Sequence, residues 1–165
     1  MTPGRTLVRR EGLGCAAGLA AFVMTTVPAF AADPFAGTWV LDAARSSYSP
    51  GLAPAAVIET TRDIGNGRFS TAIDVTAQNG TVTHFEIAYA NDGADYPVAG
   101  PVPGEAASSR QVDPQTLEST LKIDGKPILT TREVMSGDLN TLTSTTVGTA
   151  PGGAPIRNVQ VYRRK

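Results

Sequence analysis

The side chains of this 165-residue chain that could do chemistry are few, and their types and spacing narrow what that chemistry is. His84 is the only histidine and Cys15 the only cysteine. A multi-histidine or thiolate metal site cannot be assembled from them, and any Ser-His-Asp triad would have to use His84. No Gly-x-Ser-x-Gly elbow is present to supply the serine. His84 and Glu86 stand on the side of a strand opposite Phe85, so they read as a solvent-facing pair; haem ligation by His84 would need that strand inverted. Asp92, Gly93 and Asp95 offer oxygen ligands, but the full Asp-x-Asp-x-Asp-Gly loop and its distal Glu are missing, and the same residue types make tight turns. With no paired catalytic groups, an enzymatic role has no support in the sequence, and no metal or cofactor is expected.

The elements that would position these residues are strands. From Ala56 onward, short segments rich in Thr and Val alternate with turn residues, and none shows the apolar period of an amphipathic helix. Phe69, Thr71, Ile73 and Val75 share one side of a strand, and Phe85, Ile87 and Tyr89 share one side of the next. Between these strands, Asn79 and Gly80 are the residue types that tolerate the positive φ of a two-residue hairpin. Similar punctuation recurs at Gly65–Gly67, Asp92–Gly93, Asp113–Pro114, Asp124–Gly125, Ser136–Asp138 and Gly148–Pro155. The pattern predicts an all-β fold, an antiparallel up-and-down β-barrel of about eight to ten strands. Closure is expected because it removes unpaired edges. Ser46–Pro54 and Gly100–Ala107 read as loops from their Pro and Gly content, the second a portal if it lies at the barrel mouth.

Arg5, Arg9 and Arg10 precede an apolar run from Leu13 to Val27, after which Pro28 to Ala32 supply a helix breaker and small residues. This is the three-part pattern of a cleavable signal peptide. The run is shorter than the ~20 apolar residues of a membrane span. The expected organisation is a signal peptide over 1–31 and one domain over 32–165, periplasmic or secreted, with no transmembrane segment after cleavage. Cys15 opens the apolar run and leaves with it, so no disulfide staples the domain and packing alone must stabilise it. The domain would carry eleven basic residues against fourteen acidic ones, and its one basic cluster is Arg163–Lys165. Nucleic acid, which is held by clustered cations, is not an expected partner.

The stretch Phe35 to Asp42 contains a Gly-x-Trp motif at Gly37 and Trp39, Asp124, Gly125 and Lys126 open a hairpin, Thr131, Arg132 and Glu133 follow, and Val161, Tyr162 and Arg163 close the chain. On these residues the chain resembles the calycin superfamily of lipocalins and fatty-acid-binding proteins. It is similar in particular to a group of small exported bacterial lipocalin-like proteins of unassigned function, through Gly37, Trp39, Ser47, Tyr48 and the stretch Asp92, Gly93, Asp95, Tyr96, Pro97, Val98, Gly100. The resemblance implies a barrel in which Gly37 and Trp39 form a structural motif, the tryptophan plugging the closed end beneath Arg163. It also implies that Gln160 and Tyr162 face the interior, whereas hydrophobic alternation alone would turn Val159 and Val161 inward. The two-helix lid of fatty-acid-binding proteins does not fit within Ala43–Ala55, which holds Pro50 and Pro54, and Gln160 stands where those proteins hold a lipid carboxylate with arginine. The candidate ligand-binding residues are therefore Gln160 and Tyr162, for a neutral or weakly polar head group, with Phe69, Phe85, Ile87 and Tyr89 around its apolar part.

Two functions from different classes follow. One is an exported module that binds a small apolar or amphiphilic molecule inside the barrel. The alternative is a structural or protein-interaction barrel of the cell envelope, its interior filled by side chains, whose protein partner the sequence does not name.

Overall fold

The computed structural model describes residues 33–150 and 153–165. The expected signal peptide, its cleavage site and Cys15 lie outside the described residues. Within them the chain forms ten strands: β1 (Gly37–Leu41), β2 (Ala56–Gly65), β3 (Arg68–Thr76), β4 (Val82–Ala90), β5 (Tyr96–Ala99), β6 (Glu105–Asp113), β7 (Thr116–Ile123), β8 (Lys126–Met135), β9 (Thr141–Thr149) and β10 (Pro155–Arg164). Each pairs antiparallel with its sequence neighbour, and β1 pairs with β10, so the sheet closes as an up-and-down barrel. The all-β class, the topology and the closure are those predicted from alternation and turn residues. Helix is confined to one 3-10 turn at Ala43–Arg45, and among the described residues no helix is long and apolar enough to cross a membrane.

Turn chemistry sets the registers. Asp124 and Gly125 both take positive φ, 50° and 75°, the backbone of a tight hairpin whose twist matches its strands. Of the two expected loops, Gly100–Ala107 is too long: β6 begins at Glu105, where Ala106 and Ala107 pair with Lys122 and Leu121. Pro and Gly break the chain only as far as Gly104, after which small residues pair as readily as any. Ser46–Pro54 is irregular but not detached, since Ser47 and Val159 exchange backbone hydrogen bonds of 2.8 Å and continue the edge of β10 beyond β1.

One end of the barrel is packed. There Phe35, Trp39, Val57, Leu117, Met135, Leu142 and Tyr162 form a buried core. Trp39 is wholly buried and donates its indole N–H to the Phe35 carbonyl at 2.9 Å, which satisfies its polar edge. The guanidinium of Arg164 lies 4.1 Å from the Trp39 ring centroid. It also donates to the carbonyls of Pro34, Ala36 and Leu139. A Cβ on Gly37 would stand 2.5 Å from the Arg164 guanidinium, and Gly37 has a φ of 140°. The glycine of the Gly-x-Trp motif is thus a passage for the arginine.

The predicted partner of Trp39, Arg163, is not the residue that covers it. Arg163 points outward, 67% exposed, and meets Asp42 at 3.2 Å. The reason is the strand period of two: once Gln160 and Tyr162 face inward, so does Arg164, and Arg163 cannot. The register agrees, pairing Trp39 with Arg164 and Val40 with Arg163.

This geometry separates the two arginines in stability measurements. Trp39→Ala removes a fully buried aromatic and should cost ~3–5 kcal/mol in urea unfolding. Arg164→Ala removes a cation over an indole and three carbonyl contacts and should cost about 2 kcal/mol. Arg163→Ala touches one exposed ion pair and should cost about 0.5 kcal/mol or less. Equal losses for the two arginines would contradict the packing.

Candidate functional site

The hydrophobic core occupies the end of the barrel that holds Trp39, and the wall beyond it is built from smaller residues. Thr71, Ala107, Ser109, Ser119, Ser144 and Thr146 face inward there. Such side chains cannot meet across the barrel, and they leave a cavity of about 780 Å³, within the usual range for a small-molecule site. Its apolar side comprises Val57, Ile73, Val75, Phe85, Ile87 and Leu117. At the far end Leu52, Ala53 and Pro54 of the β1–β2 connection border it, with Leu52 left 85% exposed. Gln78 fastens that connection by donating to the Ala53 carbonyl at 2.7 Å.

Inner hydroxyls satisfy one another across neighbouring strands. Thr61 and Thr71 are 2.8 Å apart at their oxygens, and Thr131 and Thr146 are 2.9 Å apart. Buried polar groups paired in this way carry little penalty.

Five of the six predicted ligand-binding residues line this cavity: Gln160, Tyr162, Phe85, Ile87 and Tyr89. Phe69 does not. It shares their face of the sheet and is buried, its ring 5.9 Å from that of its cross-strand partner Tyr89, which does line the cavity. On β10 the inward pair is Gln160 and Tyr162, while Val159 and Val161 are absent from the wall. The Gln160 amide donates to the Tyr162 hydroxyl at 2.9 Å and to the Tyr48 hydroxyl at 3.0 Å. Both of its N–H groups are thereby used within the protein, so the amide braces two phenols. Tyr48, from the irregular segment after β1, joins the wall through this bond.

Sequence reasoning missed the two most unusual groups of the interior, Glu59 on β2 and Glu133 on β8. Glu59 shares its strand face with buried Val57 and Thr61, and Glu133 shares its face with Leu129, Thr131 and Met135. That alternation was the available signal. Both residues are part-buried and line the cavity. Burial, and then the Glu133 charge, pushes the Glu59 carboxyl up to about 8. Burial likewise pushes Glu133 up to about 7, against the hydrogen-bonding Ser144 hydroxyl, which holds it lower. Around them, burial raises the phenols of Tyr162 and Tyr48, and raises Tyr89 to about 12. Glu105 on β6, also in the wall, is raised by burial, and its Oε2 is buried without a hydrogen-bond partner.

The other chemical candidates lie on the surface. His84 Nδ1 is 2.6 Å from Asp74 and its Nε2 is 3.3 Å from Glu86, all three residues being about half exposed. Asp92 builds the expected turn, accepting from the Ala94 backbone at 2.9 Å and from the Tyr96 hydroxyl at 2.9 Å. Among the described residues, no group of three or more His, Cys, Asp or Glu side chains is arranged to hold a metal ion.

The raised carboxyls make stability depend on pH in a defined direction. A group whose pKa rises on folding favours the fold while protonated. Glu59 and Glu133 therefore contribute fully below their ordinary value of 4.5, and their contribution is lost as pH climbs through about 7 and about 8. Carboxylates with lowered pKa, such as Glu118 and Asp138, contribute stability above their ordinary values and lose it only as pH falls further, so they add no slope in this range. Between pH 5 and pH 9 the unfolding free energy should fall by on the order of 2 kcal/mol, the surface each group keeps toward the cavity holding the loss below full conversion of the shifts. Glu59→Gln and Glu133→Gln should each flatten that slope in urea titrations. A slope unchanged in both variants would remove the pair as its cause.

No family model matches the chain, and no curated protein matches it. Among solved structures, a mutant of the fluorescent protein UnaG is similar at 17% sequence identity with a TM-score of 0.55, the match covering 80% of this chain and 96% of that one. That likeness is one of fold, an antiparallel up-and-down β-barrel.

Proposed function

We propose that this chain is an exported binding module that holds a small apolar or amphiphilic molecule inside its barrel, in the periplasm or outside the cell. The observation that carries the reading is the cavity of about 780 Å³, apolar along β3 and β4 and polar along β10, bordered by the exposed Leu52. A few polar groups in an apolar wall are what fixes the orientation of a guest. The alternative, a structural barrel packed solid with side chains, is disfavoured by the small residues that line the interior. Export is supported by the sequence pattern of the first 31 residues and by where cleavage would fall. The packed end uses Phe35 as a buried plug and the Pro34 and Ala36 carbonyls as acceptors for Arg164. A cut after Ala31 or Ala32 spares all three.

Two measurements test this reading. Amino-terminal sequencing of protein recovered from the host envelope or medium should begin at Ala32 or Asp33; recovery of intact Met1 would overturn export. N-phenyl-1-naphthylamine, a neutral fluorescent probe, should bind at one saturable site with a blue shift. Ser119→Trp, which places a large ring in the cavity, should weaken it about tenfold or more, with circular dichroism confirming the barrel. Unsaturable binding, or equal binding by the variant, would place the probe elsewhere.

A further inference from the structure

The nature of the guest is constrained by what the cavity wall contains and what it lacks. Glu59, Glu86, Glu105 and Glu133 are among the lining residues, and no Lys, Arg or His is. Glu86 lies at the exposed side of its strand, where it meets His84. The other three have no counter-charge among the described residues. Arg62, the basic residue nearest to Glu59 in sequence, is exposed on the outer side of β2, and others are engaged outside the cavity: Arg110 and Arg132 on Glu118, Lys122 on Asp95, and Arg163 on Asp42. Arg164 is spent on Trp39 and three carbonyls at the packed end.

Two carboxyls confined together away from bulk water are costly for a fold, because neither can ionise without desolvation and the second ionises against the first. Glutamine would fill the same space without that cost. The Ser144 hydroxyl offers Glu133 one hydrogen bond, and Glu59 receives none from a described residue. Carboxyls lining a cavity without a counter-charge among the described residues are complementary to a guest that brings both positive charge and N–H donors. A bare metal ion does not fit, since it would need a closer ligand cluster than the described residues form. The apolar wall of Val75, Phe85 and Ile87 calls for a hydrocarbon or aromatic body.

Resting on the reading that the barrel holds a small molecule, we infer that the guest is an organic cation, an amphiphilic amine whose protonated nitrogen lies between Glu59 and Glu133 and whose apolar body lies along β3 and β4. This is the opposite sign from a fatty-acid anion, which would add another carboxylate to a wall that already holds Glu59, Glu105 and Glu133. Binding would expel the proton held by the carboxyl pair: the ammonium keeps its own protons, the carboxyl becomes a carboxylate, and one proton leaves to solvent. The titratable groups facing the pair are Tyr162 on β10, Tyr89 on β4, Tyr48 on the segment after β1 and Glu105 on β6. All four are acids held neutral more firmly than usual, so none supplies the missing positive charge.

Three probes of one chain length separate charge from hydrophobicity: dodecylamine, dodecanol and dodecanoate, titrated calorimetrically at pH 7 below their micellar concentrations. The amine should bind about tenfold or more tightly than the alcohol, dodecanoate should bind weakest, and only the amine should release protons when buffers of different ionisation heat are compared. In the Glu59→Gln/Glu133→Gln double variant the preference for amine over alcohol should fall to about threefold or less and proton release should vanish. Dodecanol or dodecanoate binding as tightly as the amine, or a preference that survives the double substitution, would overturn the organic cation and leave the binding module standing. Failure of all three probes to bind a barrel shown folded by circular dichroism would overturn the small-molecule reading itself.

Discussion

A ten-stranded sheet becomes a barrel only where its first strand meets its last, and in this protein that seam is narrow. β1 and β10 share three residue pairs, Trp39–Arg164, Val40–Arg163 and Leu41–Tyr162. The seam is reinforced on both sides of its backbone ladder. Inside, Trp39 and Tyr162 belong to one buried core, with Arg164 reaching over the indole to the residues before β1 and to the β8–β9 turn. Past Leu41, the chain turns at Ala43–Arg45 and resumes hydrogen bonding to β10 through Ser46, Ser47 and Ser49. An open seam would expose two hydrogen-bonding edges, so the integrity of every other strand depends on it.

Because the seam's packing is concentrated at one end, the protein can leave the rest of its interior accessible. In a domain without disulfides, each residue removed from the core reduces the apolar burial that offsets chain entropy. Here the backbone ladders run around the full circumference, and the hydroxyl pairs Thr61–Thr71 and Thr131–Thr146 tie neighbouring strands without filling space. The two buried carboxyls weaken the fold further at neutral pH. Their presence in a wall that carries no basic side chain is hard to account for by packing, and it is what gives the interior its chemical character.

The fold was legible in the sequence because period-two alternation and turn residues act locally, and a closed up-and-down barrel needs little else. The site was legible only where strand direction was known. Phe85, Ile87 and Tyr89 alternate with polar residues and could be assigned to the interior directly, but on β10 the alternation misled. Val159 and Val161 are the more apolar pair, yet they lie on the outer side, where the Ala43–Arg45 turn packs against the strand and Val161 is buried. Gln160 and Tyr162 facing inward and Arg163 covering Trp39 are incompatible with a strand period of two, an inconsistency already present in the sequence. Phe69 has the right face but packs beside Tyr89 outside the cavity lining, a position along the barrel that alternation does not fix. Glu59 and Glu133 were missed because a charged residue on a strand reads as outward-facing; Ile58, exposed beside Glu59, reverses that expectation.

The hydroxyl-rich wall has one more consequence. A threonine or serine hydroxyl rotates to serve as donor or acceptor as its neighbour requires, so such a lining has no fixed electrical preference of its own. The sign of the chamber is set by a few carboxyls on β2, β6 and β8, positions that can change by single-residue substitution without moving a strand. Under the proposed binding role the barrel is a generic container with a separable selector, and substitutions at those carboxyls would exchange one class of guest for another while keeping the seam, the ladder and the hydroxyl lining intact.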